Sequence, residues 1–204
     1  IPRARSVIGL VGQNGVGKTT ALDILSGRLR PNLGIDTPAT PEQLNEFFKG
    51  SELQAHFKGI KRVKMVYKPQ VVDALPKAVK GKVSDLLEKA DERNAVEELT
   101  SALGLDEILD RDAKLLSGGE LQRLAIAAAA VREAGIYYFD EPSSHLDVYQ
   151  RLNAARAIRG LAEIGKAVIV VEHDLAMLDY MCDQVHVMYG QPRVYGVVSS
   201  PQGV

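Results

Sequence analysis

Short unbroken apolar runs alternate along this chain with longer stretches in which apolar residues recur every three or four positions. Ser6–Val11 is an apolar run ending at a glycine and reads as a buried strand. Val63–Tyr67, Ile136–Phe139 and Ala167–Val171 are of the same kind, and the last two show the weak alternation expected of strands covered on both faces. Val185–Tyr189 and Val194–Val198 read as late strands. A helix is expected over Gly17–Ser26, stopped by Gly27 and then Pro31, and a loop over the Pro-, Gly- and Thr-rich residues 31–40. Helical spacing continues in Glu42–Phe48, Glu52–Lys58, Val83–Ala90, Ala95–Leu103, the Ala-rich Leu121–Arg132 and Ala154–Ile164. Ser51 and Gln54 have capping-box spacing, which would start the helix at Glu52.

Strands alternating with helices predict an α/β fold. Residues 1–204 read as one domain with two additions. Residues 41–60 form a helix-loop-helix insertion whose modest apolar content must lean on the main body. Residues from about 72 to 132 are nearly all helical and read as a helical subdomain inserted between sheet strands.

Composition narrows the function without naming it. The 46% apolar and 25% charged content is that of an ordinary globular domain. A net charge of −1 argues against a generic nucleic-acid coat. The single cysteine, Cys182, rules out a disulfide framework or a cysteine-built metal cluster within these residues, and a cytoplasmic setting is expected. No apolar run approaches the roughly 20 residues of a membrane span, so no membrane contact is expected. The first residues resemble no signal peptide and lack an initiator Met, so the chain reads as part of something longer.

The chemistry begins at Gly12-Gln13-Asn14-Gly15-Val16-Gly17-Lys18-Thr19, which fits G-x-x-x-x-G-K-[ST] between a strand and a helix. Its glycines let backbone N–H groups converge on phosphate oxygens, and the helix start adds its positive dipole end. Asn14, Gly15, Val16, Gly17, Lys18, Thr19 and Thr20 are therefore expected to bind ATP. Lys18 would reach the β- and γ-phosphates, and Thr19 would ligate Mg²⁺. Downstream, the run Ile136–Phe139 ends in Asp140-Glu141. Asp140 is expected to hold Mg²⁺ through water, and Glu141 to act as general base on the attacking water.

Leu116-Ser117-Gly118-Gly119-Glu120-Leu121-Gln122-Arg123 offers a second helix start with bare N–H groups. The octapeptide matches the signature of ATP-binding-cassette (ABC) ATPases, and the chain resembles an ABC nucleotide-binding domain over nearly its full length. That resemblance implies a P-loop ABC fold and further roles. Ser117, Gly118 and Gly119 would contact ATP held by a partner domain. Gln70 would be the Q-loop glutamine, sensing Mg²⁺ and the attacking water. Ser143 to Asp147 would be the D-loop, with Asp147 at the nucleotide. His173, 32 residues after Glu141, would be the switch histidine at the γ-phosphate.

Finer matches choose the branch. Glu141-Pro142-Ser143-Ser144, Gln150–Arg159, Lys68-Pro69-Gln70 with Leu75–Val83, and Phe47–Gln54 together resemble the first nucleotide-binding domain of the ABC-E ribosome recycling factors, the RNase L inhibitor family. This implies an ATPase driving ribosomal subunit splitting, with a second nucleotide-binding domain in cis. It also implies release-factor-family partners and iron–sulfur clusters in an N-terminal domain outside this chain. His145 departs from the tyrosine usual in that family, and His145-Leu146-Asp147 is reminiscent of ABC-F translation factors. That class and the ATPase subunit of a membrane transporter stand as alternatives. Charge adds to the ribosomal reading. Residues 41–82 hold nine Lys/Arg against four Asp/Glu, and five of those cations lie from Lys58 to Lys68 with no acid between them. Residues from about 41 to 68 are thus expected to contact small-subunit rRNA.

Overall fold

A computed structural model describes residues 1–72 and 80–203. The stretch Leu75–Val79, which contributes to the family resemblance, and the cation Lys77 lie outside the described residues.

Five strands make a parallel sheet. They are β1 (Ser6–Gly12), β2 (Met65–Lys68), β3 (Ile136–Asp140), β4 (Ala167–Val171) and β5 (Gln184–Gln191), in the spatial order β2-β3-β4-β1-β5. Two antiparallel additions, β6 (Tyr195–Val198) and β7 (Gln202–Gly203), both pair with β5. β3 and β4 are buried at every position, which explains their weak alternation in sequence.

Helices cover both faces. On one side α1 (Lys18–Leu25) packs Leu22 against Ile8, Leu10, Tyr138, Ile169 and Val171. The opposite face carries Val7, Tyr137, Phe139, Val168 and Val170 into the larger core, with α6 (Gly118–Ala130), α7 (Val148–Glu163) and α8 (Leu175–Met181). Neighbouring residues of β3 thus serve different layers, as the two-residue period of a strand requires. Between β2 and β3 the regular elements of the described chain are all helical. They are α4 (Val83–Ala90), α5 (Val96–Ala102), 3₁₀ turns at Asp106–Ile108 and Ala113–Leu115, and α6.

The helix-loop-helix comprises α2 (Pro41–Phe47) and α3 (Glu52–Gly59). Its capping box is not where the sequence placed it. Ser51 Oγ donates to the Phe48 carbonyl (2.6 Å), and Gln54 Oε1 accepts from Gly50 N. The box forms instead at Thr40 and Gln43, opening α2, because the turn through Gly50 (φ 76°) draws the Ser51 hydroxyl back onto the preceding helix. The hairpin rests on α1 through His56 Nε2, which lies 2.8 Å from the Leu25 carbonyl oxygen. That oxygen also accepts from Tyr138 Oη.

Two further departures have local causes. α7 begins six residues before the expected Ala154, because the Asp147 carboxylate caps it by accepting from Gln150 N at 2.8 Å. α8 escaped the sequence reading, although Met177, Leu178 and Met181 are its buried stripe.

Candidate functional site

The carboxyl ends of the parallel strands gather the chemistry, as expected for an open α/β sheet. β1 runs into the P-loop, where Gly15 (φ 80°) and Gly17 (φ 97°) take the left-handed backbone that side chains disfavour. Val16 is buried, while Asn14, Gly15, Thr19 and Thr20 are exposed. Lys18 Nζ donates to the carbonyls of Gly12 (2.8 Å) and Gln13 (2.9 Å). Burial lowers its pKa from the usual lysine value, opposed by the charges of Glu141 and Asp140. The loop and the end of β3 therefore share one field. The far rim of the loop is held by the β5–β6 turn. Arg193 N donates to the Gly15 carbonyl at 2.9 Å, and Gly196 lies so close to the Val16 carbonyl that a Cβ would collide with it.

Asp140 is fully buried at the end of β3. Its Oδ2 accepts from Tyr67 Oη at 3.2 Å, whereas Oδ1 has no protein partner. Burial raises its pKa above the usual carboxylate value, partly offset by hydrogen bonds from Thr19 and Tyr67. A buried, orphaned carboxylate oxygen beside a threonine hydroxyl suits a hard divalent cation. Among the described residues no group of three His, Cys, Asp or Glu could hold a metal ion by itself. Thr19 and Asp140 thus fit Mg²⁺ shared with a bound phosphate chain.

The next residue, Glu141, has φ 46°, a conformation that costs a non-glycine residue about 1 kcal/mol or more. Its carboxylate lies 2.9 Å from His173 Nε2, and Ser144 Oγ donates to its other oxygen at 3.4 Å. Two donors converge on its main-chain carbonyl, Gln122 Nε2 at 2.7 Å and Lys68 Nζ at 3.4 Å.

Four residues that the sequence reading did not place at the nucleotide stand in this site. Tyr67 donates to Asp140, and Arg28 stacks over its ring, 4.1 Å from the centroid. Lys68 is 2% exposed, and burial lowers its pKa to about 8. Its Nζ donates to the Asp140 carbonyl at 3.0 Å. That burial corrects one expectation: Lys68 cannot belong to a basic RNA-facing surface. Gln122 arrives from α6. Glu172, buried at the end of β4, accepts from the backbone N–H groups of Ser143 (3.2 Å), His173 (2.8 Å) and Asp174 (3.4 Å). Only their place in the sequence could have marked them: a lysine closing a strand, and a glutamate just before His173.

Ser117, Gly118 and Gly119 have other neighbours. Ser117 caps α6 in a full capping box with Glu120, which Arg111 pairs at 3.1 Å. Gly118 and Gly119 lie against His145, itself at φ 64°. The signature segment and the Ser143–Asp147 segment are therefore adjacent. Gln70 is exposed two residues past β2, at the same end of the sheet as Asp140.

The family model described as "ABC transporter" matches residues 3–144. The chain is 52% identical over its full length to ABC transporter E family member 1 of Arabidopsis thaliana. It is 50% identical to translation initiation factor RLI1 of Saccharomyces cerevisiae. It spans about a third of these curated relatives, 34% and 35% of their lengths. Among solved structures, an archaeal ribosome recycling factor crystallised with the archaeal ribosomal stalk protein aP1 is 55% identical. The TM-score is 0.95, covering all of this chain and 40% of that one. An ATP-binding subunit of an ABC transporter, 18% identical with TM-score 0.68, shares the fold.

Proposed function

The chain belongs to the ABC ATPase family, within its ABC-E or RNase L inhibitor group, and from that premise we propose that it is one half of a twin-cassette ATPase that splits ribosomal subunits. The observation that carries the ATPase reading is the contact between Glu141 and His173, set beside the P-loop lysine.

ATP would lie on the P-loop, its phosphates received by the N–H groups of Gly15 to Thr19 and by Lys18. Lys18 now donates to the loop's own carbonyls and would exchange them for phosphate oxygens. Thr19 and Asp140 would hold Mg²⁺, which neutralises phosphate charge when bound. Glu141 would accept the proton of the attacking water, and His173, 2.9 Å from that carboxylate, would hold it in place and contact the γ-phosphate. Gln70 would complete the site from the end of β2.

A second cassette would supply its own signature segment to this nucleotide, while Ser117–Gly119 and Asp147 here would serve the partner's. Leu115, Val148 and Tyr149 flank these loops, Leu175 lies just past His173, and each is more than two-thirds exposed, which suits a surface covered by another domain. Closure of the pair on ATP would provide the splitting stroke. Residues from about 41 to 64 would rest on small-subunit rRNA, and release-factor-family proteins would be further partners. Iron–sulfur clusters would belong to an N-terminal domain of the longer protein. No helix among the described residues is long and apolar enough to cross a membrane.

The test is ATP turnover and subunit separation by the full-length protein with Glu141→Gln in this cassette and its counterpart in the other. Loss of a general base should slow hydrolysis by about 10²- to 10⁴-fold while ATP stays bound. Unchanged turnover would remove Glu141 from the mechanism.

A further inference from the structure

Lys68 is an expensive residue in an unexpected place. It is the last residue of β2, the four-residue strand at the sheet's edge, and lies beside Phe139 in the parallel ladder. Its side chain is almost wholly enclosed. A buried ammonium loses its hydration and is retained only where other groups replace water. Among the described residues no carboxylate oxygen comes within ion-pair distance of it; its hydrogen bonds go to two main-chain oxygens, those of Asp140 and Glu141. These consecutive carbonyls belong to the residues placed above at the metal and at the attacking water.

We propose that Lys68 is a positioning residue for ATP hydrolysis, holding the Asp140–Glu141 main chain so that Glu141 keeps the left-handed backbone that aims its carboxylate at His173. The inference rests on the ATPase reading. A carboxylate at φ 46° needs an outside restraint, because its own preference is to leave that region. The restraint has three parts. Glu141 N donates to the Val171 carbonyl (2.9 Å), tying it to β4. Gln122 holds the Glu141 carbonyl from α6, and Lys68 holds the same carbonyl and the one before it from β2. Three elements thereby fix the two peptide units on either side of the Glu141 Cα. Since Pro69 and Gln70 continue directly from Lys68, displacement of that exposed segment would be felt at Glu141 through the ammonium.

The experiment is steady-state and single-turnover ATP hydrolysis by the full-length protein, with ATP affinity measured separately using a non-hydrolysable analogue. Lys68→Met keeps the chain length and removes the donor. It should lower kcat about 10- to 100-fold, the loss expected when a reacting group is misplaced by an ångström or less, and leave ATP affinity within about threefold. Gln122→Leu removes the other donor and should give the same kcat-selective loss, so the inference stays open to refutation if Lys68→Met does not fold. Lys68→Arg restores a cationic donor and should recover part of the rate. In a Glu141→Gln background, Lys68→Met should have little further effect, because its influence passes through that carboxylate. The inference is overturned if both donor variants turn over at the unsubstituted rate. It is also overturned if kcat and affinity fall together by one factor, or if the Lys68→Met loss persists undiminished beside Glu141→Gln. Absence of hydrolysis by the unsubstituted protein would instead refute the ATPase reading itself.

Discussion

Glu172 has three backbone amides to serve, those of Ser143, His173 and Asp174, and it does so from a site only 3% exposed. It joins the segment after β3 to the segment after β4, so the separation of Glu141 and His173 depends on it. Removing a buried acceptor leaves its donors unsatisfied, at about 1–3 kcal/mol each before relaxation. Glu172→Ala should therefore lower stability by about 3 kcal/mol, read from the urea midpoint, and reduce ATP turnover as well. A variant as stable as the parent would show that water replaces the carboxylate. Residues of this kind carry no motif of their own in the sequence beyond their place beside one. Lys18, Asp140 and Glu141 announce themselves through spacing and composition, and His173 through a family resemblance. Lys68 and Gln122 act on carbonyls at the end of β3, and Glu172 reaches across to the Ser143 amide besides its own neighbours; no local pattern reveals which strand ends will meet.

The legibility of an element depended on whether its boundary was set by its own residues. α4 and β4 match their apolar patterns end to end. The start of α7 depends on a carboxylate, Asp147, whose capping bond outweighs the polar character of residues 149–153. At the helix-loop-helix, two helices were expected and two are found. An aromatic contact between Phe48 and Phe57 closes the hairpin, with ring centroids 5.4 Å apart. Its attachment to α1 through His56 and the Leu25 carbonyl could not have been foreseen. The charge beside it was legible in amount but not in placement. Lys58, Lys61, Arg62 and Lys64 are exposed, Lys64 pairs with Glu92 at 2.6 Å, and Lys68 turns inward. On the proposed rRNA contact, the parent should bind small subunits less tightly as salt rises, and changing Lys61, Arg62 and Lys64 to Glu should abolish that binding. Co-sedimentation with purified small subunits across a salt series checks this. Undiminished binding would move the rRNA contact elsewhere.

At the scale of the molecule, β1 sits inside the sheet, between β4 and β5, and both neighbours come from the last third of the chain. The P-loop inherits this non-local setting. Its rim rests on Arg193 and Gly196, so a bulkier residue at Gly196 should damage a phosphate site nearly the whole chain away in sequence. Gly196→Val is expected to weaken ATP binding by about tenfold or more, with unfolding still cooperative. Titration with a fluorescent ATP analogue and a thermal melt would separate a local from a global effect, and full affinity would show that the turn is not needed.

The same contact bears on how the protein is made. Every sequence motif from Gly12 to His173 leaves the translating ribosome before Arg193 and Gly196 do. A growing chain would thus carry all its recognisable nucleotide-binding residues while lacking the brace that shapes their cradle. Competence of this cassette to take up ATP should arrive late and abruptly, when the β5–β6 hairpin folds back onto P-loop residues synthesised long before it.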